Sequence, residues 1–167
     1  AALACRNEGT RLYGKPMQNL DIDSKTTILD NLIDCLRNID CIDDTVLGIA
    51  EGPHNAAYVD YSRLKRIEFI IGDEIDVLQR LIQCGNRVGA TDIFRTSSES
   101  PFVYYEAIED SWKSHVDKNA DATFLENVPD GTGLQFVKLD ALKQQHDLGE
   151  DRHRSELCTL YIRENKD

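Results

Sequence analysis

Basic residues are in short supply in this chain of 167 residues: 19 Lys and Arg stand against 30 Asp and Glu, a formal charge of −11. A broad cationic field for nucleic acid or an anionic membrane is therefore excluded, and any bound anion must be held by a local cluster. Long apolar runs are missing too. None approaches the roughly 18 residues of a membrane helix, and the N-terminus lacks the basic start and apolar stretch of a signal peptide, so a cytoplasmic protein is expected. The five cysteines form no C-x-x-C pair, which points to reduced, mostly buried thiols rather than a disulfide framework or a metal site. Only four prolines accompany a 41% hydrophobic content, which excludes collagenous and disordered classes and fits one globular domain over 1–167.

What is present is an alternation of apolar runs and helical periods. Ala1 to Cys5 reads as a buried strand, and Arg6 to Pro16 as a polar loop. Ile28, Leu29, Leu32, Ile33, Leu36 and Ile39 follow a 3.6 period, with Ser24, Thr26 or Thr27 as the cap. Strands are expected at Thr45 to Ala50, Ile67 to Ile71, Thr91 to Arg95, Asp121 to Leu125, Leu134 to Leu139 and Leu157 to Arg163. Helices are expected at Asn55 to Lys65, 75 to 88, Tyr104 to Val116 and Asp140 to His146. This order implies an α/β fold of three layers, a mainly parallel sheet with helices on both faces. Ligands in such sheets collect at the carboxyl ends of the strands, which directs attention to the loops after Cys5, Ile71 and Arg95.

The first of these loops, Arg6-Asn7-Glu8-Gly9-Thr10-Arg11-Leu12-Tyr13-Gly14-Lys15-Pro16, holds three of the nineteen basic residues within ten positions. Glycines let the backbone approach a ligand, while Arg offers a planar fork and Lys a compact charge to phosphate oxygens. A merely solvated loop is the alternative. Gly9 to Lys15 also satisfies the first seven positions of a P-loop, but the eighth is Pro16, which has neither the hydroxyl nor the N–H required there. No two of the four histidines have metal-ligand spacing, so all are expected to be surface or structural, without a zinc site or a serine-type triad.

The loop resembles the A-R-x-G-S-x-R-L-P-G-K motif of the cytidylyltransferases of surface-sugar biosynthesis, above all the spore coat polysaccharide biosynthesis protein F-like group. Three later segments are similar to the same family in the same order. Gly72-Asp73-Glu74-Ile75-Asp76-Val77-Leu78-Gln79-Arg80 resembles G-x-x-x-D-V-L-x-R. Arg95 to Phe102 is similar to R-x-T-G-D-x-P-L, with Glu99 for Asp and Ser98 for Gly. Arg154 to Arg163 is similar to R-x-E-H-V-T-x-Y-I, with Leu157 for His. Tyr13 stands where Pro is usual, one extra residue separates Arg6 from Gly9, and the chain stops at Asp167, before the R-L-T-V-D-T-x-E-D stretch expected to bring a second metal ligand.

The resemblance implies a nucleotide-diphospho-sugar transferase fold of the GT-A-like type. It also implies transfer of CMP from CTP to a sugar or sugar acid, with release of pyrophosphate, in surface polysaccharide synthesis. By resemblance, Arg11 and Lys15 hold the triphosphate and stabilise the leaving group, with Arg6 assisting. Gly9, Gly14, Gly72 and Asp76 lie at the nucleotide, Arg80 braces that loop, and Glu99 holds Mg2+. Gly131 borders the acceptor and Glu156 contacts substrate or a dimer edge; a homodimer is implied. Residue chemistry leaves bland readings open: Glu99 as a helix cap, Asp76 and Arg80 as a surface i,i+4 pair, Asp130 to Gly133 as a turn. A guanylyl or uridylyl transferase, or a nucleotide-binding relative without turnover, remains the alternative.

Overall fold

The computed structural model describes residues 1–8, 12–155 and 157–165. Its core is a six-stranded sheet built from β1 (Ala2–Cys5), β4 (Val46–Ala50), β5 (Glu68–Gly72), β6 (Asp92–Arg95), β7 (Ala122–Phe124) and β8 (Gln135–Lys138). The spatial order is β5-β4-β1-β6-β8-β7. Three of the five pairings are parallel and the two that involve β8 are antiparallel, so the sheet is mainly parallel, as expected. A small antiparallel pair, β2 (Asn19–Asp21) and β3 (Thr26–Thr27), lies apart from it.

Side-chain alternation along β1 divides the core in two. Leu3 and Cys5 face one cluster with Leu29, Leu32 and Leu36 of α1 (Ile28–Leu36), Tyr58 of α2 (Ala56–Lys65) and Ile108 of α4 (Ile108–Asp117). Ala2 faces the other, with Leu78 and Leu81 of α3 (Val77–Val88) and Leu142 of α5 (Leu139–Leu148). Both faces are thus covered, and all of β4 is buried. Thr27 supplies the cap of α1: its Oγ1 accepts from the Asp30 N–H at 3.0 Å while its own N–H donates to the Asp30 carboxylate at 3.1 Å. The five cysteines are free thiols, three of them buried. No helix among the described residues is long and apolar enough to cross a membrane.

One expected element is overturned. Leu157 to Arg163 is not a strand; Leu160–Glu164 forms a short helix, α6. The segment's apolar residues permit either period, but Cys158 and Ile162, four apart, are the ones that pack on the second core cluster, while Leu157 is 60% exposed. The Arg163 N–H donates to the Thr159 carbonyl at 3.1 Å, the four-residue return of a helix. Polar contacts hold it. Glu164 accepts two bonds from Arg152 at 2.7 and 2.8 Å, and His153 Nε2 lies 3.0 Å from the same carboxylate. Because His153 Nδ1 accepts from the Glu150 N–H, Nε2 carries the ring proton and donates. Arg163 stacks on the Phe124 ring at 3.9 Å, tying α6 to β7.

The hydrogen bonds from Arg152, followed by that from His153, hold the Glu164 carboxyl down at about 2. A depressed carboxyl contributes stability that is complete above its ordinary value of 4.5 and lost as pH falls through about 2. An NMR titration of the Glu164 side chain is expected to find its midpoint near 2, and a midpoint near 4.5 would show that the Arg152 pair does not persist in solution.

Candidate active site

The parallel strands β1, β4, β5 and β6 deliver their loops to one edge of the sheet. After β1, the Gly14 N–H donates to the Asn7 carbonyl at 2.8 Å and closes the loop; Gly14 takes a left-handed φ of 60° that a side chain would strain. Lys15 and the buried Pro16 then open a short 3-10 turn, Lys15–Met17, which sets the lysine's direction. On the far side of the loop, the Tyr58 hydroxyl donates to the Arg6 carbonyl at 3.1 Å.

After β6, the Ser98 hydroxyl donates to the Ala4 carbonyl of β1 at 2.6 Å, and the Ser100 N–H closes a turn on the Ser97 carbonyl at 3.1 Å. The turn carries Glu99 to the β1 loop. Lys15 Nζ and Glu99 Oε2 are 3.5 Å apart, and the two side chains remain 40% and 39% exposed, open to a ligand from outside. Glu99 caps no helix: the turn that follows Pro101 begins at Tyr105, with Tyr104 in the cap position. Gly9 and Arg11 lie outside the described residues, as does Glu156.

After β5, the structure gives Arg80 a larger part than a surface pair. Its side chain is 1% exposed and Nη1 donates to the carbonyls of Asp73 and Glu74, the latter at 2.8 Å. Burial lowers its pKa, and nearby Arg6 acts in the same direction. The stem runs beneath Gly72, where an added Cβ would come within 3.0 Å of Arg80 Cγ. Among the described residues no ion pair joins Asp76 to Arg80. Asp76 instead caps α3, accepting from the Gln79 N–H at 2.8 Å, and its other oxygen meets His146 Nε2 of α5 at 2.8 Å.

Beyond β6, a cavity of about 390 Å³ is lined by Arg95, Ser97, Ser100, Gly131, Gln135 and Arg163. Gly131 sits in a turn in which the Thr132 N–H donates to the Pro129 carbonyl at 3.1 Å. The Thr96 hydroxyl pins that turn to β6 by donating to the Gly133 carbonyl at 3.1 Å.

Sequence reasoning missed a group that the topology assembles on the other side of β1. Glu8, His54 and Glu74, from the loops after β1, β4 and β5, bring one ligand atom each to within 4.8 Å of one another, a set that could hold a metal ion. His54 had been expected to be surface or structural. The available signal was weak: each of these residues follows the carboxyl end of a parallel strand.

The fold is shared with solved structures that include a cytidylyltransferase and a nucleotidyl transferase. A cytidylyltransferase from Leptospira borgpetersenii superposes with a TM-score of 0.85 at 16% identity, covering 98% of this chain and 70% of that one. A CMP:2-keto-3-deoxy-manno-octonic acid synthetase solved with CTP gives 0.70 at 13% identity, covering 98% and 84%. An uncharacterized protein of Methanocaldococcus jannaschii is 23% identical over 163 residues, 98% of this chain. The chain spans 66% of that relative's length. No family model matches the sequence.

Proposed function

We propose that this chain is a nucleotidyltransferase that moves CMP from CTP to a sugar or sugar acid and releases pyrophosphate. The observation that supports it best is the Lys15–Glu99 pair, 3.5 Å apart at the carboxyl ends of β1 and β6. A cation and a carboxylate at that edge, both open to solvent, are what a triphosphate with a divalent ion requires. Glu99 suits Mg2+, which is commonly held by one or two carboxylates together with substrate phosphates. When bound there, such an ion would neutralise charge on the phosphate oxygens.

This chain's own residues do the rest by positioning and charge. The Lys15 ammonium binds the polyphosphate and offsets the negative charge that grows on the departing pyrophosphate, and Arg6 and Arg11 belong to the same cationic loop. Arg80 fixes the Asp73–Glu74 backbone, so that Gly72 and Asp76 keep a constant edge beside the nucleotide. The cavity around Gly131, Ser100 and Gln135 lies next to the Glu99 turn and is the proposed acceptor site. The role in surface polysaccharide synthesis, the homodimer and the cytoplasmic location belong to the same proposal and rest on the resemblance and the composition.

The test is release of pyrophosphate from CTP and Mg2+ across a panel of sugars and sugar acids, with the other nucleoside triphosphates alongside. Release with CTP and at least one acceptor is expected. Tight CTP binding with no release under any acceptor would instead support a nucleotide-sensing protein, and release of free nucleoside diphosphate would support a kinase or phosphatase reaction.

A further inference from the structure

The group on the β4 and β5 side of the site is not used by the proposed transfer. His54 Nε2 and Glu74 Oε1 are 3.8 Å apart, too far for a hydrogen bond, and the Nε2 atom, buried on a ring that is 27% exposed overall, has no hydrogen-bond partner among the described residues. Buried polar atoms nearly always have one, so this nitrogen points to a group lying between the ring and the carboxylates. The ring is aimed there by its surroundings. Gly52 has a φ of 112°, and a Cβ on it would stand 2.7 Å from His54 Cε1, so the imidazole lies against bare backbone. The Asn7 side-chain amide donates to the His54 carbonyl, and the Asn7 N–H donates to Asn55 Oδ1 at 2.7 Å. These bonds clamp the residue preceding Glu8 to the loop that carries His54.

We infer that Glu8, His54 and Glu74 form a binding site for a first-row divalent cation of the zinc and manganese class, separate from the polyphosphate site at Glu99. The donor set carries the argument. Magnesium and calcium take oxygen ligands, whereas one imidazole with two carboxylates is a set that zinc, cobalt and manganese accept. Two carboxylates also balance the charge of a divalent ion. Ligand atoms about 2.0–2.1 Å from a tetrahedral ion stand roughly 3.4 Å apart. The group now spans 4.8 Å; rotation of the exposed Glu8 and half-buried Glu74 side chains can close it around His54. Three protein ligands leave at least one position open to water or a substrate atom. In the sheet, β4 and β5 lie on one side of β1 and β6 with Glu99 on the other, so the two cation positions are built from different loops.

The experiment uses chelator-treated protein titrated with Co2+ and followed by visible absorption, with Zn2+ and Mg2+ as competitors. One equivalent is expected, displaced by Zn2+ but not by Mg2+, with no thiolate charge-transfer band. His54→Gln and Glu74→Gln should each weaken binding at least about 100-fold, more than loss of an outer hydrogen-bond partner costs. Their metal-free unfolding temperatures, compared with that of the parent, show that the loss belongs to the ligand and not to the fold. Glu99→Gln should titrate like the parent. Unchanged affinity in both ligand variants, a thiolate band, or equal competition by Mg2+ would overturn the inference. None of these readouts depends on nucleotide transfer.

Discussion

Replacing Lys15 by Ala is expected to lower CTP-dependent pyrophosphate release at least about 100-fold in kcat/KM, the usual cost of removing one group that stabilises developing negative charge. The same substitution should leave unfolding within about 0.5 kcal/mol of the parent, because Lys15 is 40% exposed and its ion pair with Glu99 at 3.5 Å is a surface contact. Steady-state kinetics beside a urea melt separates the two. Lys15→Arg keeps the charge but not the compact ammonium and should recover only part of the rate. Parent-like turnover in Lys15→Ala would remove the cationic loop from the mechanism.

Arg80→Ala has the opposite signature, a large loss of stability. The guanidinium is buried and ties down two carbonyls of the loop after β5, so truncation leaves both short of a donor and opens a cavity beneath Gly72. A cost of about 3 kcal/mol follows from a large-to-small core change. At roughly 2–4 °C per kcal/mol for a chain of this size, that is a fall of about 6–12 °C in Tm, read by calorimetry. Arg80→Met fills most of the volume and isolates the lost hydrogen bonds, about 1–3 kcal/mol. A shift under 2 °C in Arg80→Ala would mean that the loop holds itself.

The elements legible in sequence were those whose periodicity and burial agree. α1 shows its buried stripe in Leu29, Leu32 and Leu36, and β4 is a short apolar run because helices cover both of its sides. α6 is not legible because a five-residue helix, with Ile162 packed on the core and Cys158 in the turn before it, shows too few inward residues to distinguish a period of 3.6 from one of 2. The β2 and β3 pair escaped because Asn19–Asp21 is exposed throughout and alternates nothing. In the site, Lys15 and Glu99 could be named from motif resemblance, but their 3.5 Å approach depends on Ser98 reaching Ala4 across 94 positions. Glu8, His54 and Glu74 belong to no single motif, and only the order β5-β4-β1 brings them together.

The pairing of β1 with β6, Ala2 beside Arg95, also decides when the edge can exist at all. During synthesis β1 can pair with β4 once β4 has emerged, yet the place beside β1 that β6 will fill stays vacant until α2, β5, α3 and β6 have followed. Contacts of such sequence separation are slow to form, and apolar surface waiting for them invites association with other chains. The edge that carries Lys15 and Glu99 should therefore form only after β5 and α3 have emerged, while α3 still waits for α5 to cover its inward face.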